Sequence, residues 1–285
     1  MIARRRGATT EPAASIVIEP SHGWAALNLR ELWAYRELLY FFVWRDLKVR
    51  YKQTVFGVLW AVIQPFMLMV VFSLFLGRLS GIAPAGVPYP LFAFAGLVPW
   101  TLFAKSLSGS SDSLVGASNL IQKVYFPRLL LPVSALGSQL LDFVIAMGVL
   151  VLLMLYFGTV PSLAFLWVIP LTVLALAVAL AAGVWLSAAN VRYRDVRYLV
   201  PFLVQIWLFA SPVAYSADIV PSAWLWLYDL NPMAGVIEGY RWAMLGGEGV
   251  PPVGALLAST IVTMVVLLTG LAYFRRVERT FADVI

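Results

Sequence analysis

Apolar residues run through this chain in blocks of membrane length, divided by short polar punctuation. Between Phe143 and Val191 no residue is charged. A helix needs about 20 apolar residues to cross the ~30 Å hydrocarbon core. By that measure residues 55–76 form a first span and 91–107 a second, which contains Pro99 and Lys105. Residues 136–157 form a third, with Asp142 near one end, and 165–186 a fourth with no charge. Gly158 and Pro161 divide the long uncharged run into two passes and a turn. Residues 199–215 and 253–274 complete six. Backbone polar groups in lipid must be satisfied within their own segment, so all six are predicted to be helices of an all-α integral membrane protein.

Charge orients the spans. If the N-terminus is cytoplasmic, every lysine and arginine except Arg78, Arg241 and the span residue Lys105 lies on an inner segment. That bias predicts six passes with both termini inside. The outer side collects Asp218, Asp229, Glu238 and Glu248 instead. Residues 1–28 hold Arg4, Arg5 and Arg6 but no apolar core of ~7–15 residues, so a disordered cytoplasmic tail is expected rather than a signal peptide.

Three segments are not simple spans. Residues 29–54 mix charged pairs, among them Arg45 and Asp46, with Lys48, Arg50 and an apolar block. They are predicted to form an amphipathic helix along the cytoplasmic surface, either as an anchor or as a contact for a cytoplasmic partner. Beyond the small residues 106–113, which permit close helix packing, Asn119, Leu120, Ile121, Gln122 and Lys123 begin a short helical turn stopped by Pro127. The basic stretch 190–198, with Arg192, Tyr193, Arg194, Asp195 and Arg197, lies between two apolar runs on the same side. Residues 216–251 are external and aromatic, with Trp224, Trp226 and Tyr228, and Asn231-Pro232 breaks them in the middle. Two short helices dipping back into the outer leaflet fit better than a long structureless loop. Within them Glu238 and Arg241 stand three apart and could pair on one helical face.

Composition removes several classes of function. Only 12% of the 285 residues are charged, against roughly 25% in soluble domains. There is no cysteine, and the single histidine, His22, lies in the polar tail, so neither a metal site nor a Ser-His-Asp arrangement can be assembled within the membrane. No G-x-x-x-x-G-K-[ST] occurs, so this sequence offers no phosphate-binding P-loop of its own. The net charge of +6 sits at membrane flanks and reads as a topology signal rather than a nucleic-acid footprint. Asp142 and Lys105 are the ionisable groups expected nearest membrane depth, paired or snorkelling near the cytoplasmic leaflet. Aromatics make up 14% of the chain. Besides lipid-facing belts, Trp60, Phe66, Phe94, Trp100, Phe103, Trp207 and Tyr215 are candidates to line an interior path.

The stretch Trp44-Arg45-Asp46-Leu47-Lys48-Val49-Arg50-Tyr51-Lys52-Gln53-Thr54, continuing into Gly57-Val58-Leu59-Trp60 and Gln64-Pro65, resembles the membrane subunits of type-2 ABC exporters of lipid-linked polysaccharide. Val98-Pro99-Trp100, residues 119–128 and 190–198, Ala210-Ser211-Pro212-Val213, Asn231-Pro232-Met233 and Glu238-Gly239-Tyr240-Arg241 carry the same resemblance across residues 29–279. It implies a homodimer in the bacterial inner membrane, joined to two copies of a cytoplasmic ATPase that bind the ATP and Mg²⁺. This chain would itself bind no cofactor and catalyse no reaction. The implied cargo is an undecaprenyl-diphosphate-linked glycan of O-antigen, capsule or teichoic-acid type. Residues 119–123 and 192–195 would be coupling helices, 29–54 the interface helix and 216–251 the external gate. The aromatic candidates would ring a channel in which sugars stack on their faces. A small-lipid or drug exporter of the same class is the near alternative. An ion-coupled transporter resting on Asp142, or a glycosyltransferase resting on Asp218, Asp229, Glu238 and Arg241, are the distant ones.

Overall fold

A computed structural model describes residues 29–52, 57, 59–79, 86–246, 250–279 and 281. Residues 1–28 and 53–54, expected as a tail and the end of the interface helix, lie outside them, as does Glu248. The described residues contain helices and turns but no strand.

Two helices open the chain, α1 (Leu29–Ala34) and α2 (Arg36–Tyr51), so the single interface helix expected over 29–54 is broken at Tyr35. Helix α3 (Leu59–Phe72) contains Pro65 and continues as π-helical turns over Ser73–Leu79. Helix α4 (Tyr89–Gly116) follows, then the short α5 (Ser118–Lys123) and α6 (Leu130–Tyr156). A 3-10 turn at Leu163–Trp167, capped by the Ser162 side chain, leads into α7 (Val168–Arg192). Helix α8 is Val196–Ala210, α9 Leu225–Asp229, α10 Pro232–Met244 and α11 Val253–Glu278.

Five of these segments are long and apolar enough to cross a membrane. The expected fifth span, 199–215, is the exception. Its helix α8 has 15 residues, about 22 Å at 1.5 Å per residue, short of the hydrocarbon thickness. The cause is Pro212, which disfavours helical geometry in the residue before it. Ser211 is accordingly extended, with φ −106° and ψ 149°.

Helix α4 is the hub. In its most apolar stretch 78% of residues are buried, against 22–39% in the other four long helices. It packs chiefly on α7 and α6, and also on α10, α3 and α8. Helix α11 closes on α7 and α10, and α2 lies along α6. Small residues permit these approaches, as they commonly do in lipid where burial itself gains little. Ser106, Ser110 and Ser111 are fully buried, and Gly183 of α7 sits directly against Ser110. The stretch 106–113, expected to permit close packing, lies within α4, which runs past the expected end of the span at Leu107.

The contact of α10 with α11 is equally close and involves backbone. A Cβ added at Gly235 would lie 2.7 Å from the carbonyl carbon of Ala255 and would also collide with Ser259. Gly235→Ala is expected to lower stability by about 1–3 kcal/mol through overpacking. Gly254→Ala, with no atom within 4 Å of the new methyl, should be neutral. Thermal unfolding of the purified variants in detergent distinguishes the two, and equal melting would refute the close-packing account.

Candidate functional site

Midway along α6 a single carboxylate collects charges from two other helices. Asp142 on α6 is 7% exposed, and a buried carboxylate is costly unless paired. The Tyr51 hydroxyl of α2 donates to it. Arg50 Nη1 of α2 lies 3.4 Å and Lys105 Nζ of α4 3.2 Å from the same oxygen, Oδ2. Arg50 also donates to Gln139 Oε1 at 2.9 Å and to the Ser138 carbonyl at 3.4 Å. Burial first, then the hydrogen bond and charge of Asp142, push the Tyr51 phenol up to about 12, so it remains a donor at physiological pH. Of the two alternatives expected for Lys105 and Asp142, pairing or snorkelling, they take pairing, and with each other. The contribution of Arg50 and Tyr51 had no sequence signal, because it depends on α2 lying along α6.

The other members of the expected interface set stay local. Arg45 pairs with its neighbour Asp46 at 2.9 Å and covers the Phe42 ring at 5.1 Å. Lys48 stands over Trp44 at 5.7 Å. Phe42 itself is buried at 2% exposure and packs edge-on against Phe126, which anchors α2 beside the segment after α5.

Two exposed loops occupy the end of the bundle where α4 leads into α5 and α7 into α8. On α5, Ile121 is buried and Leu120 half-buried, while Asn119, Gln122 and Lys123 are exposed. The helix stops at Lys123, where Val124 is extended (φ −133°, ψ 134°), four residues before the proline expected to end it. Arg192, Tyr193, Arg194 and Asp195 are all exposed. They do not form the expected coupling helix. Helix α7 ends at Arg192, Tyr193 is extended, and α8 begins at Val196, which leaves only a tight turn. Asn190 Nδ2 donates to the Ser111 carbonyl and to Asp112 Oδ1, each at 3.1 Å, and fixes this turn to the end of α4 that leads into α5. Arg128 reaches the Glu278 carbonyl and Phe281 packs on Phe274, so the end of α11 lies here too. Folding thus gathers at one end basic residues that are far apart in sequence.

At the opposite end the problem is backbone. Residues 211–215 follow the truncated α8: the Ser211 carbonyl accepts from the Val213 amide at 2.7 Å, whereas those of Val213, Ala214 and Tyr215 lie outside any helix. Side chains supply the donors. Arg241 of α10, 7% exposed, donates to the carbonyls of Val213 (2.7 Å), Tyr215 (3.1 Å) and Phe92 (3.4 Å). Its guanidinium also lies 3.5 Å from the Phe92 ring centroid. Tyr89 donates to the Ala214 carbonyl at 2.7 Å. Asn231 Nδ2 donates to the Ala210 carbonyl at 3.2 Å and to Ser211 Oγ at 2.9 Å. Its Oδ1 accepts from Trp207 Nε1 at 2.8 Å and from the Met233 amide at 3.1 Å, capping α10 ahead of Pro232. Arg241 therefore does not make the expected pair with Glu238, whose Oε1 accepts from Tyr228 at 2.8 Å. Tyr228 is buried, whereas Trp224 and Trp226 are 58% and 63% exposed. The break at Asn231-Pro232 separates two α-helices as expected, but α10 is largely buried within the bundle.

The aromatic candidates divide by packing. Phe94, Trp100 and Phe103 are buried on α4, and Phe103 meets Trp207 of α8 at 4.9 Å. Phe66, Trp207 and Tyr215 are half-buried. Trp60 alone of the set is mostly exposed.

The chain matches the ABC-2 type transporter family over residues 37–245. It is 31% identical over 258 residues to the O-antigen export system permease protein RfbA of Myxococcus xanthus, covering 90% of this chain and 98% of that one. It is 29% identical over 243 residues to RfbA of Klebsiella pneumoniae, covering 85% and 92%. The Escherichia coli polysialic acid transport protein KpsM is 26% identical over 246 residues, covering 82% and 91%. With its apolar helices and this match over most of its length, the chain is a multi-pass membrane protein of the ABC-2 type transporter family.

Proposed function

We propose that this chain is the permease subunit of an ATP-driven exporter that moves a lipid-linked, O-antigen-type polysaccharide across the bacterial inner membrane. The observation that carries the reading is the pair of exposed basic loops at one end of the bundle, α5 and the 192–195 turn, linked through Asn190. Together with the absence of a P-loop from the sequence, they supply a docking surface for a separate ATPase, which binds ATP and Mg²⁺ and hydrolyses the nucleotide. Two ATPase copies serve two copies of this chain. The basic end faces the cytoplasm under the positive-inside rule. Helix α8 and residues 211–215 together make the fifth of six passes, α1 and α2 form the interface helix, and α9 and α10 form the external gate. The cargo assignment is supported by the O-antigen and polysialic acid relatives.

Affinity purification of the tagged chain is expected to bring down a P-loop ATPase, and its deletion to remove surface glycan. Export by the purified chain alone would overturn the reading. Normal surface glycan with loss of a small exported lipid or drug would overturn the cargo.

A further inference from the structure

Between α2, α3, α4, α6 and α8 lies a cavity of about 590 Å³, within the ~300–1,000 Å³ range of small-molecule sites. Its polar wall is Arg50, Tyr51, Lys105, Gln139 and Asp142, and Gln64 and Trp60 of α3 stand at its side. Two cations share one carboxylate oxygen there, so Asp142 offsets one and a positive charge remains. Arg50 and Lys105 keep 34% and 27% of their side chains accessible, whereas Asp142 keeps 10%. All three line the cavity, and the cations keep more of their side chains accessible than the acid does. Lys105 offers a compact charge and Arg50 a planar fork, the two donor types that bind phosphate oxygens. From Trp60 an exposed stripe runs along α3 through Met67 and Val71, one helical face leading away from the charged wall.

We infer that this cavity seats the phosphate-bearing head of an amphiphile, with Arg50 and Lys105 on the phosphate and the apolar tail along α3. The inference rests on the proposed function and deepens it, since the lipid-linked cargo carries a diphosphate next to a prenyl chain. Asp142 acts as an internal counter-ion. It holds the two cations in place, and an incoming phosphate competes with it for them. Trp60 marks the boundary where head gives way to tail.

Equilibrium binding of radiolabelled farnesyl diphosphate to the full chain in phosphatidylcholine nanodiscs tests this. Arg50→Gln and Lys105→Gln are each expected to weaken binding about tenfold, and Asp142→Asn to tighten it severalfold. Lys105→Arg should retain binding, which separates loss of charge from loss of fold. Farnesol should fail to compete. Unchanged affinity in both glutamine variants, or competition by farnesol equal to that of the diphosphate, would overturn the site. Displacement by inorganic diphosphate at equal concentration would reassign the cavity to a free anion and overturn the amphiphile. Displacement on adding phosphatidylglycerol would assign the head to bulk anionic lipid. Resistance to both supports the carrier lipid. Surface glycan is measured in parallel. If glycan depends on this chain while the glutamine variants bind normally, the cavity assignment alone fails. If glycan is independent of the chain while binding follows Arg50 and Lys105, the cargo assignment alone fails.

Discussion

Arg241→Met is expected to destabilise the protein by roughly 2–4 kcal/mol, although the new side chain is apolar and the site is buried. The guanidinium holds the carbonyls of Val213 and Tyr215, in a segment that makes no helical hydrogen bonds of its own. Methionine satisfies neither, and each buried acceptor left unpaired costs about 1–3 kcal/mol, partly offset by no longer burying a charge. At roughly 2–4 °C per kcal/mol the melting temperature in detergent should fall by on the order of 10 °C. Arg241→Lys should recover only part of the loss, since one ammonium cannot span carbonyls on either side of Ala214. Gly96 sets a second constraint, because a Cβ there would come 3.0 Å from Arg241 Nη2 and push the fork off its acceptors. Wild-type melting in Arg241→Met would show that other donors hold the segment.

Reversing charge at Arg192 and Arg194 together should reduce glycan export at least about tenfold while leaving the fold intact. Both side chains are exposed, and substitutions at such positions usually change stability by no more than about 0.5 kcal/mol. What changes is the surface offered to the ATPase, where two cations become two anions and attraction becomes repulsion. Nucleotide hydrolysis by the ATPase should persist but lose its dependence on cargo. The same arginines help to orient the helices, so topology is measured in the same cells. The chain has no cysteine, so a single cysteine placed at Lys123 reports by thiol labelling which side α5 occupies. Unaltered export with correct topology would exclude this turn from coupling.

The sequence made the helical membrane class legible because lipid imposes a length and a charge rule that leave a plain trace. It was poorer at separating inside from outside. Phe94, Trp100 and Phe103 on α4 are buried and Trp60 on α3 is exposed, yet all lie in apolar runs, since protein interior and lipid select the same residue types. The span expected to end at Leu107 continues as α4 to Gly116, because the small polar residues beyond it are helical and Ser110 makes the close contact with α7. Asp142 was recognisable as a residue needing a partner, and Lys105 as one candidate. Arg50 and Tyr51 were not, because their approach depends on how α2 lies against α6. Arg241 was read against the nearest acid along its helix. Its partners are main-chain carbonyls, which leave no residue-type signature at all.

The central position of α4 has a consequence for synthesis. It is made second among the five long helices, yet its main partner, α7, ends about 76 residues later. At ~5–20 residues per second the ribosome takes roughly 4–15 s to deliver that partner. Through this interval the buried Ser110 of α4 must wait beside the translocation machinery or in lipid, without Gly183 of α7 to cover it. The helix that organises the finished bundle is thus its most dependent part during assembly, and a delay between α4 and α7 is where a nascent chain is most open to quality-control proteolysis.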